Sequence, residues 1–220
     1  MNPVRNRARA QARPKVLGRS ISNGVKIIGI DEVGRGPLAG PVVVAAVSLP
    51  KGFRLPKNLG PLRDSKKLTH AARERWFGWL KNESRLKFAL ARVYPATIDR
   101  LNISRAANQA ALRAFTQLTA KHHVSRVRCQ VFLDGGLYLG SKQAMPKNAR
   151  TVIRGDERIP AVALASIVAK VTRDRFMARL AKQYPGYGFE RHMGYGTRGH
   201  YLALRRLGRT PAHRASFLPR

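Results

Sequence analysis

Four carboxylates stand beside glycines in a chain that carries few acids. Of 220 residues, 43 are Lys or Arg and 11 are Asp or Glu, a formal net charge of +32. Asp31 and Glu32 come just before Gly34, Asp134 precedes Gly135 and Gly136, and Asp156 follows Gly155. Each lies at the end of a short apolar run that reads as a strand, and in an open α/β sheet ligand sites gather at strand ends. Glycine there lets a bulky ligand approach the backbone. Carboxylates brought to one spot repel each other and resist ionising together. A bound divalent cation removes that penalty, and Mg2+, which takes hard oxygen ligands and keeps waters, suits carboxylates working on a phosphate. Two such ions about 4 Å apart can activate a water and stabilise the leaving oxygen of an in-line displacement. The bland alternative for each acid alone is a helix or turn cap. No His/Cys cluster has zinc-ligand spacing. Asp99, Glu83 and Glu190 sit among polar neighbours and read as solvated.

The charge balance points to a polyanionic partner. Nucleic acid comes first, since neutralising phosphates releases counterions, and an anionic membrane surface second. Cys129 is the single cysteine. It has no partner for an internal disulfide and reads as a small buried apolar residue. No apolar stretch reaches the ~18 residues of a membrane span, and the basic N-terminus lacks the apolar core of a secretory signal. The expectation is a cytoplasmic protein that does not enter a membrane.

The elements that must position the acids follow from periodicity. Residues 1–22 hold Arg5, Arg7, Arg9, Arg13, Lys15 and Arg19 with no acid, a composition that predicts a disordered basic arm. Runs over 25–30 and 41–48 read as two strands joined by a Gly-rich connection. Thr69 is a plausible N-cap for a helix with Ala72, Trp76, Trp79 and Leu80 on one face, the two tryptophans serving the core. Residues 88–93, 127–133 and 151–153 read as further strands. Ile103, Ala107, Ala110 and Ala114 fall at helical spacing. A long helix spans 160–183, with Pro160 in its first turn. Residues 184–199, rich in Gly, Tyr and His, read as a shaped loop, and 201–220 as a basic closing segment. Strands alternate with helices, so the class is α/β with a mixed central sheet.

The run Gly29-Ile30-Asp31-Glu32-Val33-Gly34-Arg35-Gly36-Pro37-Leu38-Ala39-Gly40-Pro41 resembles the opening signature of ribonuclease HII. Asp64-Ser65-Lys66-Lys67-Leu68, Leu133-Asp134-Gly135, Gly155-Asp156 and the block from Ala165 to Asp174 match its later motifs in order. So does the loop from Tyr184 through His192 to Tyr195 and His200. The resemblance implies an RNase H-like fold: a mixed central β-sheet flanked by helices, with a helical C-terminal part. It implies a catalytic domain over 23–207 followed by a basic C-terminal tail, 208–220. It implies hydrolysis of the RNA strand of RNA–DNA hybrids, incision 5′ of single ribonucleotides embedded in duplex DNA, 3′-hydroxyl and 5′-phosphate products, and a need for Mg2+ or Mn2+.

By the same resemblance, Asp31, Glu32, Asp134 and Asp156 are the catalytic and metal-binding acids. The first three would hold one ion and Asp156, with Asp31, the second. Gly34, Arg35 and Gly36 would read the ribose 2′-hydroxyl through the backbone, Ser65, Lys66 and Lys67 would grip phosphate, and Tyr195 would stack on a deoxyribose at the RNA-to-DNA junction. Lys170 contacts phosphate or orients an acid, Asp174 supports the site from its helix, and His192 and His200 order their loop. Tyr187 packs. Val33 departs from the family's usual alanine, and the termini are more basic than the family requires. A monomer is expected, with residues 215–220, which include Phe217 and Leu218, as a candidate docking tail for a sliding clamp. The rival readings are a non-catalytic basic nucleic-acid-binding protein, ribonuclease HIII and type 1 ribonuclease H.

Overall fold

In the computed structural model, residues 24–62, 68–143 and 145–219 are described. The expected arm, 1–22, and the Ser65, Lys66 and Lys67 cluster lie outside them. Five strands form one sheet in the order β3-β2-β1-β4-β5: β1 (Lys26–Val33), β2 (Val42–Pro50), β3 (Lys87–Val93), β4 (Cys129–Asp134) and β5 (Ala149–Val152). β1 runs antiparallel to β2 and parallel to β4. This is the mixed sheet expected, with boundaries moved. β4 starts two residues later than the apolar run suggests, leaving Val127 exposed, and β5 stops before the exposed Ile153.

Both faces of the sheet are covered, which is why β2 reads as an unbroken apolar run rather than an alternation. Ile28, Ile30, Val42, Val44, Val131 and Leu133 point to one side. There they meet the alanine-rich face of α3 (Ile103–Lys121). Val43, Ala45 and Val47 point to the other, against α1 (His70–Asn82) and α5 (Pro160–Gln183). Thr69 caps α1 by accepting from the Ala72 N–H, and Trp76 and Trp79 meet edge to face in this second core layer. Gly29 lets sheet and helix approach closely: a Cβ there would lie 2.1 Å from the Ala161 carbonyl carbon of α5.

α2 (Pro95–Leu101), between β3 and α3, and the single turn α4 (Gly155–Arg158), after β5, are short helices absent from the periodicity. The Gly/Tyr/His loop contains α6 (Phe189–His192) and leads into α7 (Arg198–Leu207). Phe189, Tyr187, Met177 and Ala203 form a third, small core. Residues 208–219, expected as a tail, are packed: His213 pairs with Ala39 in a β-bridge, Arg214 is fully buried, and Asp99 accepts from the Ala215 and Ser216 N–H groups. Asp99, read as solvated from its neighbours, is thus the anchor of that segment. No helix among the described residues is long and apolar enough to cross a membrane.

Candidate active site

The acids are gathered by strand register. Ile30 pairs with Leu133 across the parallel β1–β4 ladder, so the next residues on each strand, Asp31 and Asp134, stand abreast. Alternation sends both to the α5 face, opposite Ile30 and Leu133. Glu32 follows Asp31 and has the other parity, but it sits where β1 ends and its side chain returns to the group. Ligand oxygens of Asp31, Glu32 and Asp134 all lie within 4.8 Å of one another. Asp31 and Glu32 lie within β1, which runs on to Val33, rather than in the loop after it.

The supporting bonds are specific. Asp31 Oδ1 accepts from the Glu32 N–H at 2.7 Å, and Ser166 on α5 donates to the Asp31 carboxylate. Asp134 Oδ1 accepts from the Gly155 N–H at 2.7 Å. Glu32 Oε1 accepts from Arg35 at 3.3 Å, while its Oε2 is buried with no hydrogen-bond partner among the described residues. Burial, then Glu32 and Asp134, holds the Asp31 carboxyl well above the usual range. Burial also raises Glu32, against the pull of Arg35. An orphaned carboxylate oxygen and two carboxyls resisting ionisation are what a hard divalent cation would relieve. The oxygen-only donor set fits Mg2+ or Mn2+.

Asp156 lies outside this three-acid group. It is buried in the first turn of α4, one residue beyond the Gly155 that binds Asp134, and borders a neighbouring hollow with Arg154 and Arg158. Arg154, which precedes α4, holds a left-handed conformation (φ 53°), the tight turn that brings Asp156 back from the end of β5.

The acids floor a cleft of about 340 Å³. Gly34, Arg35, Gly36, Lys170 and Tyr195 line it as well. Tyr195 is 46% exposed, with its ring available to a ligand. Burial lowers the Lys170 ammonium, and Asp174, one turn on along α5, counters it. Asp174 itself is buried and pairs with Arg73 at 3.8 Å. His192 bonds the Tyr187 carbonyl and the Gly194 N–H, and His200 bonds the Tyr195 carbonyl. Both histidines order the loop that presents Tyr195.

Three residues of the site escaped the sequence reading. Ser166 lies in a quoted motif but had no role assigned. Arg173 reaches the carbonyls of Pro41, Ala39 and Met193. Arg214 reaches those of Gly34, Arg35 and Gly40. An arginine in a basic segment carries no compositional signal of such a task.

The family model for ribonuclease HII matches residues 28–219. A ribonuclease HII of Bacillus thuringiensis (strain Al Hakam) is 44% identical over 193 residues, 88% of this chain and 69% of that one. The crystal structure of the ribonuclease H2 from Pyrococcus horikoshii OT3 superposes with a TM-score of 0.67 at 26% identity, over 87% of this chain and 93% of the other. The ribonuclease HII in the PCNA complex from Archaeoglobus fulgidus shares the fold, with a TM-score of 0.67 at 24% identity over 89% of this chain and 96% of the other. With a motif series in register, a matching sheet and a family match across nearly the whole described chain, this protein belongs to the ribonuclease HII family of hydrolases.

Proposed function

We propose that the cleft over Asp31, Glu32 and Asp134 cuts the RNA strand of RNA–DNA hybrids, and also incises duplex DNA 5′ of a single embedded ribonucleotide, leaving 3′-hydroxyl and 5′-phosphate ends. The observation that carries this is the convergence of three acids within 4.8 Å beside a glycine-edged backbone and an exposed tyrosine. Asp31, Glu32 and Asp134 would hold one divalent ion, Mg2+ or Mn2+, and Asp156 with Asp31 a second. Bound there, such ions would lower the pKa of a bound water, so that it can give up a proton and attack phosphorus as hydroxide, and would supply charge to stabilise the departing oxygen.

The chain's own residues do the rest. Ser166 fixes the Asp31 carboxylate, and the Gly155 N–H fixes Asp134. Gly34, Arg35 and Gly36 present backbone groups to the ribose, whose 2′-hydroxyl both donates and accepts. Tyr195 offers a flat face to the sugar beyond it. Lys170 adds positive charge near the scissile phosphate, and the basic surface holds the flanking duplex. Ser65, Lys66 and Lys67 take phosphate in this reading. We take the catalytic unit, 23–207, to run on through the packed 208–219 segment. The A. fulgidus protein is seen with PCNA, but here Phe217 packs on the chain's own core. A clamp contact through this end would therefore rest on Leu218 and its neighbours.

The test is a duplex with one ribonucleotide, an RNA–DNA hybrid and an all-DNA duplex, each with Mg2+, Mn2+ or chelator. Metal-dependent cutting 5′ of the ribonucleotide, lost in Asp134→Asn, is expected. Binding without metal-dependent cutting would favour a non-catalytic nucleic-acid-binding protein. Cutting of the hybrid alone would favour an activity of the type 1 kind.

A further inference from the structure

The 34–41 loop is held from behind by two buried arginines, one from α5 and one from the C-terminal segment. Arg214 donates to the Arg35 carbonyl at 2.8 Å, the Gly34 carbonyl at 2.6 Å and the Gly40 carbonyl at 2.8 Å. Its own N–H donates to the Leu38 carbonyl, and the Gly40 N–H donates to the Ala212 carbonyl. Arg173 takes the Ala39 and Pro41 carbonyls at 3.1 and 3.0 Å. Six carbonyls of one eight-residue loop are thus held by these two residues, and the dipoles of the five that meet a guanidinium offset the burial of two like charges that repel each other. Arg214 is fully buried, and burial, then Arg173, pushes its guanidinium down to about 9, still charged at neutral pH.

A trans peptide unit points its C=O and the following N–H in opposite directions. With the Gly34 and Arg35 carbonyls drawn to Arg214, the Arg35 and Gly36 N–H groups must face the other way. Neither N–H donates to a backbone carbonyl among the described residues. The side they face holds the acids and Tyr195: the three loop residues line the acid cleft, and a Cβ on Gly36 would lie 3.8 Å from the Tyr195 ring.

We infer that Arg214 is a positioning residue: the 208–219 segment is a clasp that fixes the Arg35 and Gly36 N–H groups as donors toward the ribose and scissile phosphate, without touching substrate or metal. The inference rests on the proposed ribose-reading role of that loop. Asp99 latches the clasp to α2 through the Ala215 and Ser216 N–H groups. Lysine at 214 keeps the charge but, as a single ammonium, cannot span three carbonyls in the guanidinium plane.

The test compares wild type, Arg214→Lys, Asp99→Asn and, as a control that removes charge from the same segment without a loop contact, Arg209→Gln. Each is assayed for single-turnover cleavage of the single-ribonucleotide duplex, for Mn2+ binding without substrate, and for amide exchange at Arg35 and Gly36. Expected for Arg214→Lys is a rate loss of about 10²-fold, the cost of a misplacement near 1 Å. Mn2+ binding should be unchanged and the two amides altered. Asp99→Asn should show a smaller loss with the same signature, and it decides the matter if Arg214→Lys does not fold. Arg209→Gln should stay within about twofold. A folded Arg214→Lys at wild-type rate overturns the inference, as does a rate loss that tracks loss of Mn2+ binding. If wild type cuts no ribonucleotide-containing duplex, the functional reading fails, while unchanged Arg35 and Gly36 amides in the variants would separately sink the clasp.

Discussion

Adding one methyl group at Gly29 should both destabilise the fold and slow the chemistry. Gly29 lies on the central strand, and the added carbon would meet α5 backbone, the Ala161 carbonyl carbon at 2.1 Å and the Val162 nitrogen at 2.2 Å. Ordinary contact begins near 3.4 Å, so 3.4 − 2.1 = 1.3 Å must be found between two backbones, neither with a flexible end to move aside. Overpacking of this kind typically costs about 1–3 kcal/mol, and a strand paired on both sides places Gly29→Ala at the upper end. At roughly 2–4 °C per kcal/mol for a chain of this size, Tm should fall by about 6–12 °C. The displaced end of α5 leads directly to Ser166, which holds Asp31. A shift near 1 Å in a catalytic group costs about 10²-fold. Urea and thermal melts would measure the first effect, and single-turnover cleavage at a temperature where the variant is folded the second. Unchanged Tm would refute the packing argument. Lower Tm with full activity in the folded protein would refute the link from α5 to the acids.

A pH dependence follows from the buried His200–His213 pair, whose Nε2 atoms lie 3.1 Å apart. Burial, then His200, pushes His213 down to about 4. The unfolded chain takes up this proton below about 6.5 and the folded one does not. The stability contributed is therefore full above that value and lost as pH falls toward 4, by about 2 kcal/mol between pH 7 and 5. Urea unfolding of His213→Gln should show that much less loss over the same interval; equal losses would count against the pair. Deleting residues 1–20 removes Arg5, Arg7, Arg9, Arg13, Lys15 and Arg19 and should flatten the salt dependence of duplex binding, with little change in single-turnover rate. An unchanged slope makes the arm irrelevant to substrate. Gly34→Ala would drive a Cβ to 2.2 Å from Arg173 Nε at a φ of +88°, and should cost activity more than about tenfold, read by the same cleavage assay.

Where the sequence was legible, the signal was local. α5 carries its own proline start and α1 its threonine cap, and the double burial of β2 is written in its unbroken valines and alanines. Asp31 and Asp134 could be singled out because an acid ending an apolar run is costly unless it has work to do. Their register could not be read, since parallel pairing of β1 with β4 is settled across about a hundred residues by packing of α3 and α5. Short elements were lost for the same reason: α4 is one turn whose entry depends on Arg154 in a left-handed conformation, and nothing in the Arg-Gly-Asp-Glu run announces that. Residues 208–219 were misread because composition alone separates neither a buried arginine from a solvated one nor Asp99 as an anchor from Asp99 as a surface charge.

Anomalous diffraction from crystals soaked in Mn2+ tests the central claim most directly. The account predicts a peak coordinated jointly by Asp31, Glu32 and Asp134, whose oxygen donors suit Mn2+, and absent in Asp134→Asn. Mn2+ bound elsewhere, or carboxylates that stay protonated and metal-free at neutral pH in millimolar Mn2+, would contradict it.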